Sequence, residues 1–231
     1  MKKIFAFVFA RGGSKGLPRK NVLPLGGIPL VAHSIKLAKQ INNIDRIFVS
    51  TDDDEIKTIA NEYGAEVIDR PQLLSGDTAS EIDAWRHAIR NLQERGEKFD
   101  IFLSLPATSP LRNCSDISAC LDSLNDDTDV VITVTPASRS PYFNMVSRDS
   151  DGFSNILNRS EVYTRRQDTP EAFDITTVAY VLRPNFILNN EKLFDGRVRS
   201  VVIPKERAVD IDDYWDYKYA EMLFKENLKC S

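Results

Sequence analysis

Histidine, cysteine and long apolar runs are the scarce features of this 231-residue chain. The two histidines, His33 and His87, stand far apart, and Cys114, Cys120 and Cys230 lack the close pairing of metal ligands. A zinc centre is therefore not expected. Three cysteines without a regular framework fit free thiols in a reducing compartment better than a disulfide scaffold. The N-terminal run IFAFVFA ends after seven residues and leads straight into charge, with no small-residue cleavage site behind it. It is far below the ~20 apolar residues of a membrane span. A cytoplasmic protein without a membrane partner is expected. Bulk positive charge is missing too: 30 Lys and Arg stand against 34 Asp and Glu, a net charge of −4. That balance argues against a nucleic-acid-binding surface.

What is present is a regular alternation of short Val/Ile/Phe-rich runs and amphipathic stretches. Strands are expected over 3–10, 46–51, 65–71, 99–106 and 129–136, with helices over 29–41, 53–63, 79–95 and 115–125 between and after them. Strand and helix alternating at this spacing predict an α/β fold, Rossmann-like, with a mostly parallel sheet and helices on both faces. The strands read as continuous apolar runs, as burial on both faces requires. The rhythm breaks over 138–175, a polar, aromatic and arginine-rich insertion expected to form a hairpin or small subdomain. Strands resume at 176–184 and 197–204, and a final helix is expected over 213–228. The whole chain, 1–231, reads as a single domain.

Charge of one sign is concentrated in one place. FARGGSKGLPRKN, residues 9–21, carries Arg11, Lys15, Arg19 and Lys20 among Gly12, Gly13 and Gly16. It follows the first strand, at the edge where open α/β sheets bind ligands. Glycines let a backbone approach a ligand closely, and lysine and arginine complement phosphate oxygens. The loop lacks the G-x-x-x-x-G-K-[ST] order, because Lys15 precedes Gly16, and it lacks G-x-G-x-x-G. A solvated basic turn is the plain alternative to a polyphosphate site. A second concentration, of acids, lies in VDIDD: Asp210 and Asp212 are two residues apart and would share one side of an extended segment. Two hard carboxylates suit Mg²⁺, which completes its shell with substrate phosphates and water. Capping or solvated acids are the alternative, and Asp213 is expected to cap the last helix.

ARGGSKGLPRKN resembles the signature loop of the CMP-sugar synthetases, or acylneuraminate cytidylyltransferases. STDDDEI (50–56), DRPQLLSGDTAS (69–80), LPATSPLR (105–112) and VDIDDYWD (209–216) agree in order and spacing, so the resemblance spans essentially the whole chain. It implies a fold of the nucleotide-diphospho-sugar transferase type. It also implies an enzyme that joins CMP from CTP to the 2-hydroxyl of a 2-keto-3-deoxy sugar acid and releases pyrophosphate. Arg11, Lys15 and Lys20 would then hold the triphosphate, helped by Ala10, Gly12, Gly13 and Ser14. Asn21, Arg70, Ser80, Ala107 and Thr108 would lie beside the nucleotide, and Asp210 and Asp212 would bind Mg²⁺ or Mn²⁺. Pro106-Ala107-Thr108 stands where many relatives have Gln-Pro-Thr, so the glutamine's contacts must come from elsewhere. Arg112 is expected to be structural, and Asp77 or Thr78 to cap the helix after them.

On the acceptor side the resemblance points to Arg166 for the sugar carboxylate, with Gln167, Thr177 and Tyr180 near it. Tyr180 also fits a core position. Asp174–Thr177 replaces an Arg-Pro-Asn-Gly-type stretch of sialic-acid enzymes, which favours a related nine-carbon acid, such as legionaminic or pseudaminic acid, or another keto-deoxy acid. The family's counterpart of the insertion is a dimerisation arm, so a homodimer is expected. The rival readings are another nucleotidyltransferase, acting on a sugar phosphate, and a catalytically silent nucleotide-binding module. The SKGLPRKN continuation and the late DID pair separate the first from the CMP-sugar group, and Mg²⁺-dependent turnover separates the second.

Overall fold

A computed structural model of the chain describes residues 2–76, 79–160 and 163–230, with side chains up to 226 in the last helix. Asp77 and Thr78, expected as caps, lie outside the described residues.

The first strand, β1 (Ile4–Phe9), shows why the chain forms a two-faced sheet. Its side chains alternate, and both sets are apolar. Ile4, Ala6 and Val8 join one core cluster, and Phe5 and Phe7 join the other. A loop and a 3₁₀ turn (Lys20–Val22) lead to the small hairpin β2 (Pro24–Leu25) and β3 (Ile28–Pro29). There follow α1 (Leu30–Gln40), β4 (Ile44–Thr51), α2 (Asp54–Glu62), β5 (Glu66–Asp69), α3 (Glu81–Glu94), β6 (Ile101–Ser104), α4 (Cys114–Ser123) and β7 (Val130–Pro136). The insertion holds a second hairpin, β8 (Val146–Arg148) and β9 (Ser154–Ile156). The chain closes with β10 (Phe173–Leu182), α5 (Pro184–Asn189), β11 (Val198–Val202) and α6 (Tyr214–Cys230).

Seven strands form the main sheet in the order β11-β7-β10-β6-β1-β4-β5. All neighbours pair in parallel except β10, which runs antiparallel to both β6 and β7. Helices α1, α2 and α4 cover one face through Val31, Ile35, Ile56, Ala60 and Ile117. Helix α3 covers the other, setting Trp85, Ile89 and Leu92 against the Phe5, Phe7, Phe48 and Phe102 cluster. Phe7 stacks on Phe102 with ring centres 4.5 Å apart. A smaller third cluster ties α6 and the β2–β3 hairpin together through Leu25, Leu30, Ile211 and Ala220.

The expected strands and long helices are present, with shifted ends. Pro29 closes β3 and precedes α1 instead of sitting inside its first turn. The hairpin over PLGGIP and the short α5 were not expected. The former turns on Gly26 and Gly27, both at positive φ, a conformation glycine adopts without steric cost.

Helix caps bring acids to the sheet edge. Asp53 caps α2, accepting from Ile56 N at 3.0 Å. Asn113 and Asp116 form a capping box on α4, and Asp116 also pairs with Arg207 at 2.9 Å. Asp213 accepts from Trp215 N at 2.7 Å and Asp216 N at 3.0 Å, so it caps α6 as expected.

Arg112 is structural, also as expected. Only 5% exposed, it donates to Val178 O at 2.8 Å, to Pro106 O at 2.7 Å and to Ser34 Oγ. One planar fork thus fastens the loop after β6 to β10 and α1. Arg112→Ala strands those acceptors in the core and should destabilise the fold by about 3 kcal/mol. Arg112→Lys should recover little of this, because a point charge cannot bridge the same three groups. Urea denaturation of both variants measures the effect.

Candidate functional site

At the carboxyl ends of β1, β4 and β6 the chain leaves the sheet in the loops that carry the charged motifs. The loop 10–21 is held in place by acids. Gly12 N–H donates to Asp52 Oδ1 at 3.0 Å, and a Cβ at Gly12 would stand 2.6 Å from Asp53 Oδ2. A Cβ at Gly16 would lie 2.4 Å from the backbone oxygen of Asp212, whereas one at Gly13 would meet open space. Gly12 and Gly16 are therefore required by close approach to the protein's own acidic loops. Arg19, in the left-handed region at φ 57°, forks onto Asp53 and Glu55. One of the loop's cations is thus committed to holding the loop.

Five other residues of the loop line a cleft of about 290 Å³, whereas Lys15 is exposed and is not part of its lining. Arg11, Gly13, Ser14, Lys20 and Asn21 form one wall, and Arg70, Ser80, Glu81 and Ala84 face them, with Phe9, Leu74 and Thr108 also lining it. Arg11 Nη1 donates to Ser75 O at 3.2 Å, and Asn21 Nδ2 donates to Arg11 O at 3.0 Å. Arg70 is 9% exposed. Its guanidinium donates to Ser50 O at 2.6 Å and lies 5.5 Å from the Phe9 ring centre. Burial holds its pKa below the ordinary arginine value, to about 10, against the pull of Asp52 and Glu81. Ser80 precedes α3, yet its hydroxyl makes no capping hydrogen bond. Ala10 and Ala107, expected beside the nucleotide, are instead fully buried core residues and do not line the cleft.

The acidic pair lies beside this cleft. Ile211 N donates to Thr108 O at 2.9 Å, fastening the DID segment to the loop after β6. Lys20 Nζ sits 2.9 Å from Asp212 Oδ1. Asp210 Oδ1 is buried without a hydrogen-bond partner. Burial raises the Asp210 pKa, the Thr108 and Thr177 hydroxyls oppose the rise, and Asp212 adds to it. An orphaned carboxylate oxygen next to a second carboxylate fits a hard divalent cation. Among the described residues no cluster of three or more His, Cys, Asp or Glu is arranged for a metal. A cation here would therefore draw on this pair and on ligand oxygens.

The four expected acceptor residues do not come together. Arg166 and Gln167 line a second cleft of about 670 Å³ with Arg139, Ser140 and Phe173, over β7, β10 and β11. Arg166 donates to Ser138 O at 2.9 Å. Thr177 stands apart from them, its hydroxyl 2.7 Å from Ser109 Oγ and near enough to Asp210 to favour that carboxyl's charged form. Tyr180 is 7% exposed and packs on Trp85 with ring centres 5.4 Å apart, because its stretch of β10 faces α3. Two features escaped the sequence reading: the Asp52–Asp53 clamp and Glu81. An acid opening a helix reads as a dipole partner, which hid Glu81's place on the cleft wall.

The sequence profile of the cytidylyltransferase family matches residues 5–229. The chain is 34% identical to the post-translational flagellin modification protein B of Campylobacter coli, over 98% of this chain and 97% of that one. It is 32% identical to a CMP-N,N'-diacetyllegionaminic acid synthase of Campylobacter jejuni, over 96% and 95%. Among solved structures, CMP:2-keto-3-deoxy-manno-octonic acid synthetase complexed with CTP shares the fold, with a TM-score of 0.74 at 17% identity, covering 97% of this chain and 99% of that one.

Glu81 carries a testable electrostatic signature. Its side chain keeps contact with solvent in the open cleft, but the surrounding walls desolvate the carboxyl. That pushes its pKa up to about 7, Arg70 opposes the rise, and Asp210 adds to it. An acid whose folded pKa is raised binds its proton more tightly folded than unfolded. The stability this gives is fully present below pH ~4.5 and is lost as pH rises through about 7. Glu81→Gln should therefore melt higher than the unaltered protein at pH 8, with the gap closing toward pH 4.5. Thermal melts across that range check the sign.

Proposed function

We propose, from the fact that the chain belongs to the cytidylyltransferase family, that it transfers CMP from CTP to the 2-hydroxyl of a 2-keto-3-deoxy sugar acid of the nonulosonate kind. The observation that carries the reading is the meeting of a glycine-rich cationic loop with a paired-acid segment at one sheet edge, Lys20 against Asp212 at 2.9 Å. The name of the legionaminic acid synthase relative and the Asp174–Thr177 departure both favour a legionaminic-type acid over N-acetylneuraminate.

In this reading Arg11, Lys15 and Lys20 hold the triphosphate, with the backbone of Gly12, Gly13 and Ser14. Asn21, Arg70, Ser80 and Thr108 border the nucleoside. The acceptor hydroxyl oxygen forms a bond to the α-phosphorus while the bond to the β-phosphate oxygen breaks; pyrophosphate leaves with that electron pair, and the hydroxyl proton passes to a carboxylate of the acidic pair or through it to water. Negative charge grows on the phosphoryl oxygens, and the fixed cations of the loop favour that distribution over the ground state. Asp210 and Asp212 would hold Mg²⁺ or Mn²⁺, which adds a fixed positive charge beside the phosphates. Arg166 and Gln167, in the neighbouring cleft, receive the acceptor's carboxylate, for which the arginine fork is the matching partner.

The insertion and the exposed rim above β10 and β11 serve a second copy of the chain. Phe173, Ile175 and Val202 are 42%, 52% and 54% exposed there. Apolar side chains grouped beside a charged cleft are what an interface uses. Among the described residues no helix is long and apolar enough to cross a membrane. Cys114 and Cys120 are free thiols, which supports a cytoplasmic enzyme.

Pyrophosphate release with CTP and Mg²⁺ against a panel of keto-deoxy sugar acids tests the reaction. Turnover with one nine-carbon acid is expected. Release only with a sugar phosphate would overturn the acceptor class. Lys20→Ala and Asp212→Ala should each lower kcat/KM about 10²- to 10³-fold, with unchanged melting for the exposed Asp212. Ile175→Asp should convert a sedimenting dimer to monomer, and a monomeric unaltered protein would remove the dimer proposal.

A further inference from the structure

Strand β10 does not run in step with β7. Thr176 pairs with Thr133 and Tyr180 with Ile132, so β7 moves by one residue where β10 moves by four. The surplus is Thr177, Val178 and Ala179. In an unbroken ladder Thr177 would lie opposite Ile132, which belongs to the aromatic core under α3, and directly opposed residues share a face. The excursion puts Tyr180 in that place and lets Thr177 leave the ladder. Its hydroxyl ends 2.7 Å from Ser109 Oγ, in the loop after β6. Bulges commonly re-aim a side chain in this way beside a site.

We infer that Thr177 is a positioning residue for Asp210, carried to it by this excursion, and that the buried hydroxyl of Thr133 pins the excursion in place. The inference rests on the reading that Asp210 binds the cation of the proposed reaction. It gives Thr177 a task on the nucleotide side, where the sequence suggested the acceptor.

Thr133 is fully buried in β7. Its hydroxyl oxygen accepts from Thr176 Oγ1 at 2.8 Å and from Ala179 N at 3.3 Å. Its own proton lies between Thr176 O at 3.1 Å and Ala179 O at 3.3 Å. Both ends of the excursion are thereby tied to one atom, and Arg112 ties the middle through Val178 O at 2.8 Å. Buried backbone groups taken out of a ladder need other partners, and these two side chains supply them. Val178 and Ala179 pack into the core, so Thr177 is the surplus residue with a polar side chain to offer. Asp210 has one oxygen buried and unpartnered, and the Thr108 and Thr177 hydroxyls are near enough to favour its charged form. Hydrogen bonds to a ligating carboxylate fix its orientation for a metal. A bulge that served packing alone would need Thr133, but valine would serve it at position 177.

Calorimetric binding of CTP without acceptor, once in Mg²⁺ and once in EDTA, separates this role from a structural one. The quantity read is the gain in CTP affinity that Mg²⁺ brings. Thr177→Val should cut that gain about tenfold or more and leave the affinity in EDTA unchanged. Thr133→Val should do the same, and the double variant should lose no more than either alone, because both changes break one chain of contacts. Thr133→Ser keeps the hydroxyl and should keep the gain. An undiminished gain in Thr177→Val overturns the inference. So does an equal loss of affinity with and without Mg²⁺, the mark of a packing defect. Additive losses in the double variant, or a lost gain in Thr133→Ser, overturn the link to Thr133, the second whether or not Thr133→Val folds. If Mg²⁺ brings no gain to the unaltered protein, the cation reading falls and this inference with it. If the gain depends on Thr177 while no keto-deoxy acid supports pyrophosphate release, the acceptor reading falls and this one stands.

Discussion

A loop carrying Arg11, Lys15, Arg19 and Lys20 within ten residues repels itself unless acids are brought to it, and the chain meets that constraint from two distant segments. Asp52 and Asp53 come from the turn between β4 and α2, Glu55 from the first turn of α2, and Asp212 from the run after β11. The approach is close enough that neither Gly12 nor Gly16 tolerates a Cβ without something shifting. Glycine content and flanking acids are thus two sides of one packing problem. The same acids also organise neighbouring helices, Asp53 as the cap of α2 and Asp216 as the acceptor of Asp212 N and Asp213 N at the start of α6.

The position of β10 decides what else can meet at this edge. Running antiparallel between β6 and β7, it starts at the edge where its neighbours end. Phe173–Thr176 therefore rises beside the loops that follow β6, β7 and β11. Thr177 reaches Ser109 and Asp210 from there, and three residues later Tyr180 already faces the α3 core. A pairing irregularity between Thr176 and Tyr180 marks the transition. The two clefts lie on either side of the β6–β10 junction, and Asp210 stands between the nucleotide side and Thr177.

The sheet, its helices and the two charged motifs were legible in the sequence because each leaves a local mark: apolar runs, helical periodicity, glycine beside lysine, aspartate at i and i+2. Strand direction leaves none. Burial on both faces produces the same continuous run in β10 as in β1, so its reversal was not readable. Helix α5 is six residues long, too short for a periodic stripe. The site was legible where a motif is contiguous, as for Arg11 to Asn21. It failed where neighbours in sequence part in space: Arg166 and Thr177 are eleven positions apart and end in different surroundings. Glu81 was missed for the converse reason, since its local context gives a sufficient and ordinary explanation for an acid there.

Lys20 and Asp212 clarify how such a site admits a highly charged ligand. Lys20 is largely buried, with 11% of its side chain exposed, and Asp212 is 76% exposed. An ion pair with so exposed a partner contributes only about 0–1 kcal/mol, so separating it costs little. In the proposed reaction Lys20 turns to a phosphate and Asp212 to a cation. Each group exchanges one opposite charge for another, and the cation and phosphate arrive as a pair that is itself partly neutralised. The buried lysine keeps its place while the exposed aspartate moves. Asp210 is the more enclosed of the two carboxylates, with one oxygen buried and unpartnered and the Thr108 and Thr177 hydroxyls near enough to favour its charged form. An enclosed acid and an exposed one, two residues apart, let the cleft stay electrically balanced before and after binding without rebuilding the loop that Asp52 and Asp53 hold.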